Sequence, residues 1–253
     1  MVVRTPSNPA FWWGNFLLFD HAPQPGEAAQ WLRRFDEELV RLDPRVQHLA
    51  FGIDVSRPFD VPADFLAAGL LPNEGSVLQL LPGQLRELPQ ALQPGFSVRP
   101  LRLPEESTLA VAAQVASDAD VHEPLGYRRH REQQMARYGA MSTAGWGHWF
   151  GVFAQGAEGD EQLVADCGLF REGPAARLGR FQHVSTHPAW RRRGLCRAMI
   201  HAVCRHGFEQ MGLSTLVMMA DPHDVAIGIY ESLGFRRGAS TWELERKPLL
   251  ERR

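Results

Sequence analysis

Between Phe181 and Val203 the hydrophobic period switches once, across a glycine-bearing arginine turn, and that switch restricts the segment to a strand–turn–helix unit. Phe181-Gln-His-Val-Ser-Thr186 has strand character, and His187-Pro-Ala-Trp-Arg-Arg-Arg-Gly194 follows as a loop. From Leu195 the apolar residues recur at Leu195, Ala198, Met199, Ala202 and Val203, one face of an amphipathic helix with Arg197 and Arg205 off the stripe. Gly212 stands where such a helix ends in a left-handed cap. Thr215 to Met219 reads as a short buried strand. Asp221-Pro222 then supplies an N-cap followed by proline at the first helical position. Ala226, Ile229, Tyr230 and Leu233 make the next apolar stripe, which Gly234 closes. The order is strand, helix, strand, helix, strand.

The turn Arg191-Arg-Arg-Gly-Leu-Cys196 leads straight into a helix. The first amides of a helix lack intrahelical acceptors, and the dipole makes that end partly positive. A pyrophosphate docks well on such an end, Gly194 lets the backbone come close, and the arginines add charge. The ordinary alternative is a solvated arginine run at a helix start. The residues by themselves leave both open.

The segment resembles the GCN5-related N-acetyltransferase (GNAT) superfamily. That family uses Arg or Gln, any two residues, Gly, any residue, then Gly or Ala between its fourth strand and third helix. Arg191, Gly194 and Cys196 match, with cysteine as a small substitute at the last position. Val184-Ser-Thr186 followed by His187-Pro188 resembles the family's entry to the turn. Ala226-Ile-Gly-Ile-Tyr-Glu-Ser-Leu-Gly-Phe235 resembles its fourth-helix signature, Tyr-x-x-x-Gly-Phe. The similarity is strong over 181–235 and reaches back, by order of elements, to about 96.

The resemblance implies an α/β (α+β) GNAT fold, with a mixed, mostly antiparallel central sheet flanked by helices. It implies acetyl-CoA as co-substrate and direct transfer of the acetyl group to a primary amine of a small molecule or peptide. Backbone groups of Val184, Ser185 and Thr186 would pair with the pantetheine arm, and one N–H there would hold the oxyanion. Arg191, Arg192, Arg193, Gly194, Leu195, Cys196 and Arg197 would surround the pyrophosphate. Tyr230 would protonate the departing thiolate; on residue pattern alone it is equally a core residue of its stripe.

Two positions depart from the family. Many members carry a cofactor-contacting Asn where His223 stands, so that His223 takes over the contact or the helix is anchored otherwise, and many carry a glutamate base on the fifth strand, where Met218 and Met219 stand. An alkyl amine is largely protonated near neutrality, so its proton needs a route out. His183, which titrates near neutrality, is the first candidate base and Asp166 on the neighbouring strand the second. Water relays are a third route. The acceptor itself is not legible; His122, Glu123, His130 and Arg131 are the polar residues of the least family-like segment.

Upstream, Phe96 to Leu101 reads as a strand, 107–117 and 128–141 as helices, and Trp146 to Ala154 with Gln162 to Phe170 as paired strands. The cluster Pro82-Gly83, Pro89 and Pro94-Gly95 marks a linker, dividing the chain into 1–90 and 96–247. The first region repeats the order of the second. Asn15 to His21 is a strand ending in histidine. Ala28, Trp31, Leu32, Phe35 and Leu39 make a helix, Val46 to Ile53 a strand, and Pro62 to Ala68 a short helix. Phe65-Leu-Ala-Ala-Gly-Leu70 then parallels Tyr230 to Phe235, and Ser76 to Leu80 the late strand at Thr241 to Glu245. This reads as a degenerate GNAT-like half domain, with an unrelated α/β segment as the alternative. Pro23-Gln-Pro-Gly26 replaces the arginine turn and Phe65 lacks a hydroxyl, so this half is expected neither to bind coenzyme A well nor to catalyse. Trp12 and Trp13 anchor the chain start or line an acceptor cleft.

Lys+Arg of 27 against Asp+Glu of 29 leaves 253 residues without the basic excess of a nucleic-acid binder. No run of 18 apolar residues spans a membrane and no secretory pattern opens the sequence. Three cysteines, Cys167, Cys196 and Cys204, suit a reducing cytoplasm. His201 and Cys204 share a helical face without a second ligand pair, so no metal site is expected. Many members of the family dimerise, and a homodimer is one assembly the resemblance allows. Two other functions stay open: a non-catalytic acyl-CoA-binding sensor or scaffold, and a transferase using a different short acyl-CoA.

Overall fold

A computed structural model describes residues 1–55, 57–90, 92–118, 124–156 and 159–246. His122 and Glu123 lie outside the described residues. The chain divides into two compact units, Met1–Ser76 with Ala239–Arg253, and Val77–Gly238.

The first unit holds strands β1 (Val2–Val3), β2 (Phe16–Phe19) and β3 (Leu49–Ile53), with helices α1 (Ala28–Phe35) and α2 (Ala63–Ala67). It also takes the first part of β4 (Leu71–Leu80) and most of β10 (Arg236–Arg246). β2 and β3 run parallel, Leu17 opposite Phe51 and Phe19 opposite Ile53. β3 is buried along its whole length, as its unbroken apolar run Leu-Ala-Phe-Gly-Ile requires. α1 turns Ala28, Trp31 and Phe35 inward at helical spacing. Trp31 lies flat on Phe19 at 3.6 Å between centroids, and Phe65 meets its edge at 5.1 Å. Trp12 stacks on His48 and Trp13 meets Phe16 edge-on, so both anchor within this unit.

The second unit holds β5 (Phe96–Pro100), α3 (Ser107–Ser117), α4 (Pro124–Thr143), β6 (Gly147–Gln155), β7 (Glu161–Phe170), β8 (Leu178–Thr186), α5 (Leu195–Glu209), β9 (Thr215–Ala220) and α6 (Ala226–Ser232). Its sheet runs β9-β8-β7-β6-β5, antiparallel from β5 to β8 and parallel between β8 and β9. Period-two alternation separates two cores. Phe150, Val152 and Ala154 join Met199, Val203 and Leu216 on one side. Trp149 and Phe153 join Ala110, Met135 and Tyr138 on the other.

The division differs from the one read in the sequence. Pro82–Gln84 forms a tight turn, Arg86 N–H donates to the Leu233 carbonyl at 3.0 Å, and Leu85, Leu88 and Leu92 pack on the second unit's core. The proline-rich stretch is therefore part of that unit. The last strand leaves it, because Trp242 to Arg246 pair antiparallel with Ile53 to Leu49 and bury Leu244 in the first core. α6 also starts later than expected. Asp221 closes a turn by accepting the His223 N–H at 2.8 Å, and Asp224 caps the helix by accepting the Ala226 N–H at 2.7 Å. Gly234 has φ +104°, and a Cβ there would sit 1.9 Å from the Gln84 carbonyl oxygen, so the Gly-Phe ending is a steric requirement.

Candidate active site

β8 keeps β7 as a partner along its length but loses β9 partway. On the β7 side, Gly168 faces Gln182 and Asp166 faces Ser185, so His183 and Val184 together oppose Cys167 in a bulge. His183 carries it at φ +34°, an uncommon conformation for a side chain of that size. On the β9 side the parallel ladder ends at Arg180 opposite Val217. Beyond that point lies a cleft of about 200 Å³, whose walls include Phe181, His183, Val184, Met218, Asp224 and Tyr230. An unpaired strand edge next to a cleft offers main-chain donors and acceptors to an extended ligand.

The turn before α5 supplies the second component. Gly194 caps the helix at φ +75°, and its carbonyl accepts the first helical bond, from Ala198 N–H at 3.0 Å. The amides of Leu195, Cys196 and Arg197 therefore make up the open first turn. Among the described residues a Cβ at Gly194 would meet nothing within 4 Å. The Leu195 side chain is buried in the core, which leaves only its amide for a ligand. Arg192 and Arg193 are exposed and Arg197 half-buried; Arg193 lies over the Trp190 ring at 4.7 Å. Arg191 is engaged elsewhere. It donates from Nε to the Thr186 carbonyl at 3.1 Å and from Nη2 to the Ser117 carbonyl at 3.2 Å, pinning the turn to β8 and α3. Burial pushes the Cys196 thiol up to about 11, and the Asp224 carboxylate adds to the shift. It is a small packing group rather than a nucleophile.

Tyr230 is buried in the cleft wall, edge to face with Phe235 at 6.3 Å. Burial raises its pKa, with Cys196, Cys167 and Asp224 adding to the effect, so the phenol keeps its proton. Val184 and His183 join it in the cleft. Ser185 and Thr186 hold the strand from the other side: Ser185 Oγ donates to Asp166 Oδ1 at 2.5 Å, and Thr186 pairs with Ala165. His223 is exposed and is not part of the cleft wall; Asp224 beside it is.

Both carboxylate and imidazole candidates for the base are occupied. Asp166 is fully buried and accepts from Gln114 Nε2 at 2.7 Å, Trp149 Nε1 at 2.8 Å and Ser185 Oγ. It ties α3, β6 and β8 together and has no place in the cleft wall. His183 Nδ1 lies 2.7 Å from Arg131 Nη2. Burial, then the Arg131 charge, holds the imidazole well below its usual range, so it is neutral. An arginine can only donate, so the lone pair on Nδ1 is already used. Sequence reasoning missed Asp224, Met218 and Phe181 as cleft residues; the Asp-x-Ala pattern ahead of α6 is the one local signal for Asp224.

Among the described residues no group of three His, Cys, Asp or Glu side chains is arranged to hold a metal. No described helix is long and apolar enough to cross a membrane.

A family model for the acetyltransferase (GNAT) domain matches residues 148–237. Among solved structures, a functionally unknown conserved protein from Staphylococcus epidermidis ATCC 12228 superposes with a TM-score of 0.70 at 12% identity, covering 98% of this chain and 94% of its own. A GCN5-related N-acetyltransferase from Sphaerobacter thermophilus gives 0.60 at 14%, covering 87% and 68%. A tandem GNAT protein from the clavulanic acid biosynthesis pathway gives 0.58 at 16%, covering 91% and 72%. At these identities the superpositions establish the fold. They reach over the first unit as well. No curated protein matches the chain.

Proposed function

We propose, from the premise that residues 148–237 form a GNAT domain, that this protein transfers an acetyl group from acetyl-CoA to a primary amine of a small molecule or peptide. The observation that carries the reading is the parting of β8 from β9 beyond Arg180 and Val217, with Tyr230 in the cleft wall. The pantetheine arm would lie along the free edge of β8 at Val184 to Thr186. The pyrophosphate would sit on the first amides of α5 beneath Arg192, Arg193 and Arg197. Arg191 would serve this site by holding the turn, and Asp224, which lines the cleft, would take the place beside the arm that the exposed His223 does not.

The ammonium first gives one proton to water, and the freed lone pair then forms the N–C bond as the carbonyl π pair moves to oxygen. Collapse of the tetrahedral intermediate breaks the C–S bond and leaves the electron pair on sulfur, which takes the Tyr230 proton. The nitrogen loses its extra proton to water, and water restores the tyrosine proton. With Asp166 and the His183 Nδ1 both engaged, a water relay is the route this site supports.

Calorimetric titration with acetyl-CoA, native protein against Arg193→Glu, tests the reading. Micromolar binding that weakens strongly in the variant supports it. No binding by folded native protein removes it. The absence of a carboxylate at Met218 and Met219 on β9 favours one second reading, an acyl-CoA sensor without turnover. Turnover abolished by Tyr230→Phe excludes the sensor, and a panel of short acyl-CoA donors identifies the acyl group.

A further inference from the structure

In the second unit a polar chain runs from Asp118 through Tyr127 and Arg131 to His183. Arg131 on α4 is 8% exposed. Its Nε and Nη2 donate to the Tyr127 hydroxyl at 2.7 and 2.5 Å, and its Nη1 to Gln134 Oε1 at 2.6 Å. The Tyr127 hydroxyl in turn donates to Asp118 Oδ2, whose carboxylate lies 3.6 Å from Arg131. The remaining direction of Nη2 ends on His183 Nδ1 at 2.7 Å.

That last contact has one chemical solution. The guanidinium keeps its protons, so Nδ1 must accept. An imidazolium would set N–H against N–H, and so would the Nδ1–H tautomer. His183 is therefore neutral with its proton on Nε2, in agreement with the strong downward shift that burial imposes on it. Nε2 is buried and, among the described residues, has no hydrogen-bond partner. Its residue is a wall of the cleft that also contains Val184 and Tyr230, and the β8 bulge fixes it there at an unusual φ. A buried N–H without an acceptor is costly, so a site that keeps one is suited to a ligand oxygen.

We propose that His183 donates from Nε2 to the acyl carbonyl oxygen of the thioester, and that Arg131 is the positioning residue that fixes the tautomer. This rests on the acyl-transfer reading above. A neutral imidazole is a good donor for such a role because it polarises the carbonyl without surrendering its proton to the oxyanion. It adds a side-chain donor to the main-chain one expected from β8.

Two measurements test it. Long-range proton–nitrogen NMR of native protein labelled with nitrogen-15 in histidine reads the tautomer directly and needs no variant. The expected result is a lone pair on Nδ1 and a proton on Nε2 at neutral pH, with that preference lost in Arg131→Met. Infrared difference spectra of acetyl-CoA labelled with carbon-13 at the carbonyl read the hydrogen bond. The bound carbonyl stretch should fall on the native protein, return toward the free value on His183→Phe, and fall again on His183→Gln, which keeps an N–H. An Nδ1–H tautomer, an imidazolium, or a stretch that is the same on native protein and His183→Phe while both bind acetyl-CoA overturns the inference alone. Failure of native protein to bind acetyl-CoA overturns the reading beneath it as well.

Discussion

Asp64 Oδ2 accepts the Ala28 N–H at 3.1 Å, and the same oxygen takes the Gly26 N–H at 3.0 Å. The first turn of α1 is thus closed by the protein's own carboxylate, whereas the first turn of α5 opens onto space above Gly194. β2 and β3 stay paired to their ends, where Asp54 N–H donates to the Phe19 carbonyl at 2.8 Å, and Trp31 packs between Phe19 and Phe65; a cleft of about 490 Å³ bounded by Asp20, His21, Glu27, Trp31 and Asp54 opens beside them. The closed α1 turn, with Pro23 to Gly26 in place of an arginine turn, is the basis on which we propose that this half does not hold a pyrophosphate.

Asp64→Ala should lower stability by about 1 kcal/mol, the usual cost of a lost helix cap. It should not create a second acetyl-CoA site. Urea denaturation reads the first effect and calorimetric stoichiometry the second; two equivalents bound per chain would contradict the assignment.

Tyr230→Phe keeps the ring against Phe235 and deletes only the hydroxyl. Turnover should fall about 10²–10⁴-fold, the range for loss of a positioned acid, with acetyl-CoA affinity little changed. Steady-state rates beside calorimetry separate the two effects.

Gly194→Ala should weaken acetyl-CoA binding and cost roughly 1–2 kcal/mol in stability, since φ +75° disfavours any Cβ. Thermal unfolding with and without acetyl-CoA checks both, and an unchanged ligand-induced rise in Tm would place the pyrophosphate elsewhere.

Glu106 is almost buried and accepts from Arg99 on Nη1 and Nη2 at 2.9 and 3.0 Å. That contact, helped by Arg102 and opposed by burial, lowers its pKa from 4.5 to about 2. The folded value lies below the unfolded one. The stabilisation is therefore complete above pH 4.5 and is lost as pH falls through about 2. It amounts to about 3 kcal/mol, less the screening at the exposed Arg102 end. Glu106→Gln should flatten the acid limb of stability against pH between those values, as urea midpoints will show.

What the sequence discloses here is what is local. α3 occupies Ser107–Ser117 as its pattern implies, and the switch from β8 to α5 stands where the period changes. The misplaced start of α6 is a local ambiguity: Asp221-Pro222 fits a helix cap and a turn equally well, and Asp224 settles it by taking the Ala226 amide. The candidate base is a different matter. A carboxylate on a strand next to the site is visible at Asp166, but the three donors that occupy it come from α3, β6 and β8. The Nδ1 of His183 is likewise consumed by a residue 52 positions away. No periodicity encodes such meetings, because they depend on which helix face crosses which strand.

The pairing of β10 with β3 has a consequence for the order in which this chain acquires structure. The first unit to leave the ribosome lacks the strand that completes it, for Leu244 arrives only after the whole of Val77–Gly238 has been made. Closing Trp242 onto Ile53 across an unfolded segment of that length carries a large loop entropy, and a folded second unit shortens the gap that must be closed. The portion synthesised first is thus the portion finished last, and until then the buried face of Phe51 depends on other cover.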